Sequence, residues 1–87
     1  MRLTAELSLY PFREEYKEVV LHFLEELMNE EEVIMATNSM STQLSGEDEK
    51  VFAAVQLALR ASHKKFGAQV LVAKFVPEHF GDIGPNS

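Results

Sequence analysis

Apolar and polar residues alternate over the first ten positions of the chain. Every second position is apolar, and the positions between carry polar groups: Leu3, Ala5, Leu7 and Leu9 against Thr4, Glu6, Ser8 and Tyr10. A period of two with one apolar side is typical of a strand that buries one face. Because Pro11 has no backbone N–H to give to a sheet, the pattern predicts a strand over residues 3–10.

From Glu14 onward the apolar spacing becomes that of a helix. Apolar residues recur at intervals of three and four positions: Tyr16, Val19, Val20, Phe23, Leu24 and Leu27. This spacing predicts an amphipathic helix. The acidic run from Glu30 to Glu32 follows it, and negative charge is unfavourable at a helix C-terminus. We therefore expect these acids to lie in solvent after the helix has ended, and we assign them no chemistry.

A hairpin is predicted in the middle of the chain. Residues 33–37 are apolar and β-branched at their ends, which favours a short strand. Residues 38–39 fit a two-residue turn. Residues 40–44 then return antiparallel, with Ser41 and Gln43 on one face.

The second half of the chain predicts a helix and a final strand. Ser45 or Gly46 is expected to cap the helix, with an acidic residue at its third position. Gly67 matches a C-cap glycine, and residues 69–76 are apolar on both faces of a last strand. The buried stripe of the helix is predicted at Val51, Phe52, Val55, Leu59, Ser62 and Phe66.

The order β-α-β-β-α-β predicts an α+β, ferredoxin-like sandwich. Two β-α-β units joined through a hairpin give a four-stranded antiparallel sheet with two helices on one face. Residues 1–76 form the single domain in this interpretation. Residues 77–87 contain two prolines and two glycines without any periodicity, so we expect a loose tail.

This fold leaves the second face of the sheet uncovered by the chain itself. The polar positions of the first and third strands would lie there: Thr4, Glu6, Ser8, Tyr10, Ser41, Gln43 and Ser45. The fourth strand would add either Val70 and Val72 or Leu71 and Ala73. A mixed polar and apolar face is typical of a surface that binds a ligand, a partner sheet or both.

Composition narrows the class of function. The chain has 87 residues, no cysteine and a net charge of −6. The acidic excess disfavours nucleic acid, because phosphate contacts need Lys and Arg. The lack of cysteine fits a reducing compartment, and no apolar run reaches the length of a membrane span. We expect a cytoplasmic protein with no nucleic-acid partner and no membrane insertion.

Glu6 is the most informative charge. As a carboxylate on the uncovered face, it could accept hydrogen bonds from an amino-heterocycle or pair with a cation; the alternative is an ordinary solvated charge. Tyr10 could stack on a ring, and hydroxyl and amide groups could complete a neutral shell. The candidate ligand-binding residues are therefore Glu6, Ser8, Tyr10, Asn38, Ser41, Thr42 and Gln43.

Enzymatic motifs are lacking. His22, His63 and His79 have no metal-ligand spacing, and we expect them at the surface. The sequence contains no nucleophile elbow and no phosphate-binding glycine loop. We predict no catalytic residue, no metal site and no enzymatic activity.

Two motifs resemble those of a known family. Residues 5–11 (AELSLYP) and 38–46 (NSMSTQLSG), followed by an acidic helix start and residues 51–54 (VFAA), resemble the YkoF-type thiamin/hydroxymethylpyrimidine-binding family. The similarity covers residues 4–76. It implies a ferredoxin-like fold and binding of thiamin or its pyrimidine precursor for uptake or salvage. It implies no catalytic residues and no cofactor beyond that ligand.

The resemblance also bears on assembly. Similar chains carry two tandem copies of this unit, whereas this chain has one, and related short chains assemble as dimers or tetramers. We expect a homodimer or higher homo-oligomer through the uncovered face, with edge-strand pairing as the second choice. Two other functions stay open: a small oligomeric regulatory module with another effector, and a dimeric oxygenase, which the positions of the histidines disfavour.

Overall fold

The computed structural model describes residues 1–37 and 41–78. The four strands form one antiparallel sheet in the order β2-β3-β1-β4, with both helices on one face. This is the predicted ferredoxin-like sandwich. The elements are β1 (Arg2–Pro11), α1 (Tyr16–Leu27), β2 (Ile34–Thr37), β3 (Thr42–Glu47), α2 (Asp48–Phe66) and β4 (Gln69–Pro77).

The core lies between the sheet and the helices. The apolar side of the β1 alternation is confirmed, since Leu3, Ala5 and Leu7 are buried. Thr4, expected on the open face, is also 0% exposed, so this end of the strand is buried on both faces. The core cluster takes residues from both helices and two strands: Leu3, Ala5, Leu7, Phe23, Leu27, Leu44, Val51, Ala54 and Ala58. Each large aliphatic side chain in it contributes about 1.5–3 kcal/mol by leaving water.

The predicted cap of the second helix is wrong. Ser45 and Gly46 belong to β3, which continues to Glu47, and the helix begins at Asp48. The residue at the N-cap position, Glu47, makes no side-chain capping bond. Instead the Asp48 N–H donates to the Met1 carbonyl oxygen at 2.8 Å. The start of the sheet therefore satisfies a helix N–H that a side-chain cap would otherwise take.

Gly46 has a different role, which depends on close approach. A Cβ at this position would lie 3.0 Å from the Glu32 carbonyl oxygen and 3.2 Å from the Val33 Cγ1. The end of β3 therefore passes directly against the segment between α1 and β2. A side chain at this position would press on the neighbouring segment, which would have to move by a few tenths of an ångström.

The buried stripe of α2 is rotated from the predicted one. Its buried residues are Val51, Ala54, Ala58 and Ser62. Phe52, predicted to be buried, is 49% exposed, and its ring stacks on Phe75 with the centroids 4.8 Å apart. The alanine side chains face the core because small residues let the helix pack closely. Larger residues such as Phe52 lie at the edges of this buried stripe.

The end of α2 matches the prediction. Gly67 has a φ of +85°, a conformation that glycine adopts without strain. Its N–H donates to the His63 carbonyl oxygen at 2.8 Å. Near the same end of α2, the Ser62 hydroxyl donates to the Gln69 side-chain oxygen at 2.9 Å, so the buried serine links the helix to the start of β4.

The orientation of β4 resolves the alternative left open by the sequence. Val70 pairs with Tyr10 and Val72 pairs with Ser8, so both valines lie on the uncovered face. Leu71 and Ala73 pack against the core. The strand continues one residue past its predicted end, to Pro77. The predicted tail falls almost entirely outside the described residues.

Candidate functional site

The uncovered face is the sheet face away from the helices, on which no described helix lies. Its centre is polar and largely buried, with Thr4 0% and Gln43 9% exposed. Thr4 and Ser45 are paired across β1 and β3, and their hydroxyls are 3.0 Å apart in a hydrogen bond. Glu6 lies beside Gln43 on one side and Lys74 on the other. The predicted placement of Gln43 and Ser45 on the face of Glu6 is confirmed.

The Glu6 carboxylate already has a cation partner within the chain. Its Oε1 lies 3.6 Å from the Lys74 Nζ, and only 15% of the Glu6 side chain is exposed. Because the lysine is well exposed, solvent screening limits the value of this pair to about 0–1 kcal/mol. Glu6 can therefore be held in place without any ligand.

A cleft lies on the opposite side of the sheet, beneath α1. Its volume is about 400 Å³. It lies beside the end of the described β1–β3 pairing, at Leu7 and Thr42, where β1 continues to pair with β4 as far as Pro11. Most of its lining is apolar or aromatic: Leu7, Leu9, Tyr16, Val20, Leu21, Phe23 and Leu24.

Hydroxyl-bearing residues line the sheet side of this cleft. Ser8, Ser41, Thr37 and Thr42 all belong to the lining. The Thr37 and Thr42 hydroxyls are 3.1 Å apart and bond to each other. Lys17, in the first turn of α1, is the one charged residue among the described residues that line the cleft.

The seven sequence-predicted site residues do not form one cluster. Glu6, Tyr10 and Gln43 lie on the uncovered face. Ser8, Ser41 and Thr42 belong to the cleft lining. Thr42 follows the alternation of β3 to the helix side, whereas the Ser8 side chain lies on the face of Val72, away from α1. Asn38 lies outside the described residues.

Sequence reasoning missed the contribution of α1 to the cleft. The helix carries two apolar rows: Val19, Phe23 and Leu27 are buried in the core, whereas Tyr16, Val20 and Leu24 line the cleft. The signal was present in the width of the apolar stripe, which exceeds what one row of core contacts needs. Its interpretation as core alone was wrong for Tyr16, which is 55% exposed.

His22 is not the surface residue that was expected. Its ring packs edge-on against Phe66, with centroids 5.4 Å apart, because α1 and α2 lie side by side there. Its Nε2 lies 3.5 Å from the Glu26 Oε1, and its buried Nδ1 has no hydrogen-bond partner among residues 1–37 and 41–78. His63 is exposed as expected, and His79 lies outside the described residues.

Within residues 1–37 and 41–78, neither helix has the length and apolarity needed to cross a membrane. The same residues contain no group of three or more His, Asp or Glu side chains placed to hold a metal ion.

Comparisons with known proteins identify relatives of the fold. The model of the YKOF-related Family matches residues 2–75. Protein SP2199 from Streptococcus pneumoniae has a similar structure, with a TM-score of 0.79 and 20% identity over 95% of this chain and 90% of that one. Protein MJ1052 from Methanocaldococcus jannaschii has a TM-score of 0.79 and 18% identity, over 98% of this chain and 89% of that one.

A third structure comes from Thermotoga maritima. This protein is provisionally named a thiamine biosynthesis/salvage protein, and it gives a TM-score of 0.74 with 18% identity over 86% of this chain and 82% of that one. At these identities the three likenesses establish the fold alone. The search of curated proteins found no match.

Proposed function

The chain belongs to the YkoF-related family, and on that premise we propose that it binds a thiamin-type pyrimidine in the cleft beneath α1. The cleft carries the proposal. Its volume of about 400 Å³ falls within the usual range of roughly 300–1,000 Å³ for small-molecule sites. The name of the similar Thermotoga maritima protein points to the same ligand class.

The lining suits a flat heterocycle with hydrogen-bonding edges. Leucine, valine and aromatic side chains offer apolar contact to the faces of a ring. An aminopyrimidine has an amino donor and ring-nitrogen acceptors, and a serine or threonine hydroxyl can both donate and accept. Ser41 and Thr42 would supply those contacts from the sheet side.

We propose binding without turnover, and no cofactor other than the ligand itself. The polar groups of the described cleft lining are hydroxyls and one ammonium group, which can form hydrogen bonds with the polar edge of a heterocycle. Incubating the protein with thiamin or hydroxymethylpyrimidine and recovering the compound unchanged by mass spectrometry supports this; any new product contradicts it. The cytoplasmic location expected from the composition stays a prediction.

Leu21 and Leu57 provide a matched test of where the ligand binds. Both are exposed helical leucines, at 60% and 58%, but only Leu21 lines the cleft. Leu21→Trp fills part of the cleft, so we expect calorimetry to show at least about a tenfold loss of affinity for hydroxymethylpyrimidine, equivalent to about 1.4 kcal/mol. Leu57→Trp should leave affinity unchanged.

Two outcomes contradict this assignment. Equal losses in the two variants would mean that the ligand does not occupy the cleft. No heat and no thermal shift with thiamin or hydroxymethylpyrimidine at millimolar concentration would remove the binding function, because a ligand bound by the native state raises the melting temperature. The regulatory module with another effector would then take its place.

We also propose that two copies associate through the uncovered face. Val70 and Val72 are 43% and 45% exposed there, beside Tyr10. The Glu6–Lys74 pair neutralises the charges at its centre, so the acidic chain meets its copy through a nearly neutral surface.

A further inference from the structure

Lys17 is unusual among the charged residues near the cleft. It lines the cleft, and it makes no ion pair within 4.0 Å among the described residues, although Glu14, Glu15 and Glu18 are near it in sequence. Glu15 pairs instead with Arg13, Oε2 to Nε at 3.5 Å. The ammonium group of Lys17 is therefore available to a ligand.

Helix stability does not account for this lysine. It lies in the first turn of α1, where the helix dipole is positive and a cation is unfavourable. Leu21 lies four positions after Lys17, where an acidic residue could have formed an i,i+4 ion pair that stabilises the helix. An apolar cleft with one unpaired ammonium group at its edge favours a ligand that carries negative charge.

The cleft also lacks any group that would attract a cation. No carboxylate occurs in its described lining. Glu6, the acid expected to meet a cationic ligand, pairs with Lys74 on the other face of the sheet. A thiazolium ring in the cleft would therefore meet the ammonium group of Lys17 without a compensating carboxylate.

We infer that the cleft selects a pyrimidine bearing a phosphate monoester over a pyrimidine bearing a cationic ring. This inference rests on the proposed function and specifies its ligand class. The ring would lie among the apolar residues with its polar edge toward Ser41 and Thr42, and the phosphate would meet Lys17. The volume of about 400 Å³ is near the small end of ligand sites, which suits one ring with a short substituent.

The test compares four probes by calorimetry at fixed ionic strength: hydroxymethylpyrimidine, its phosphate, thiamin and thiamin monophosphate. The wild-type protein should bind hydroxymethylpyrimidine phosphate at least about tenfold more tightly than hydroxymethylpyrimidine, and thiamin more weakly than either. Lys17→Gln should remove the preference for the phosphate, so that the ratio of the two dissociation constants falls to about one. Lys17→Arg should restore most of the preference, because it keeps the charge.

Lys64→Gln is the matched control. Lys64 is an exposed helical lysine outside the cleft lining, and its replacement changes the net charge from −6 to −7, as Lys17→Gln does. The control should keep the preference for the phosphate. The preference should also shrink as pH falls from about 7.5 to 5, because the second pKa of a phosphate monoester is about 6.

The outcomes separate this inference from the proposed function. If hydroxymethylpyrimidine binds but its phosphate binds no better, or if Lys64→Gln removes the preference as fully as Lys17→Gln, the inference is overturned and the proposed function stands. If none of the four probes binds, both fail together. Circular dichroism of each variant should match the wild type, because both lysine side chains are exposed.

Discussion

The two sides of β1 differ in how their polar groups are satisfied. On the uncovered face, Glu6 has Lys74 and Thr4 has Ser45, so its central charges and hydroxyls have partners within the chain. In the cleft, Lys17 makes no ion pair with a described residue. The uncovered face therefore suits a second protein surface, whereas the cleft has a charge left for a small ligand. Glu6 stood out in the sequence as a candidate ligand contact, but in the folded chain its charge is already paired with that of Lys74.

The largest effect should come from the core side of β1. Leu7 is 2% exposed, and truncating a buried leucine to alanine costs about 2–5 kcal/mol. Leu7→Ala should therefore lower the free energy of unfolding by that amount in urea titrations. Ser8→Ala, one residue along on the opposite face, should change it by less than about 0.5 kcal/mol. If the two variants lost the same amount of unfolding free energy, the difference between the core-facing and the opposite side of β1 would be contradicted.

The next effect concerns association through the uncovered face. Val72→Lys places a charge on that face, where the valine pairs with Ser8, and we expect light scattering at micromolar concentration to change from a dimer mass to a monomer mass. Leu71→Lys instead places a charge against the core and should lower the melting temperature.

Two results would contradict the predicted interface. A monomer mass for the wild-type protein removes the dimer altogether. If neither lysine variant changes association, the contact lies elsewhere, and pairing of the edge strands becomes the better explanation.

The smallest effect is expected for the pair at the centre of the uncovered face. Glu6→Gln should cost less than about 1 kcal/mol of stability, as for other partly exposed ion pairs, and Lys74→Gln should cost about the same. Because the Glu6 carboxylate lies on the face opposite the cleft, we expect both variants to bind hydroxymethylpyrimidine with affinity within about twofold of wild type.

The opposite result has a clear meaning. A tenfold loss confined to Glu6→Gln would transfer the ligand to the uncovered face, where the sequence had predicted it. The comparison between the two surfaces would then be reversed, and the cleft would lose its proposed role.

Local patterns were sufficient for the architecture. The alternation of β1, the stripe of α1 and the glycine after α2 depend on neighbours in sequence, and the structure confirms each of them. The start of α2 could not be obtained in the same way. Its first N–H is satisfied by the Met1 carbonyl oxygen, a contact between residues 47 positions apart.

The candidate site was predicted only in part for a similar reason. Alternation correctly placed Gln43 beside Glu6, but it did not reveal the cleft on the other side of the sheet, whose lining includes Ser41 and Thr42. The position of Lys17 in that lining could not be predicted either, since it depends on how the first turn of α1 lies over the sheet.

The position of α1 over the cleft has a kinetic consequence. The helix lines the cleft with side chains such as Tyr16 and Leu21, which are 55% and 60% exposed. A small molecule can therefore enter and leave by displacing such side chains while the sheet stays paired. Exchange of the ligand should accordingly be much faster than global unfolding, and the lifetime of the complex should depend on the side chains at the mouth of the cleft.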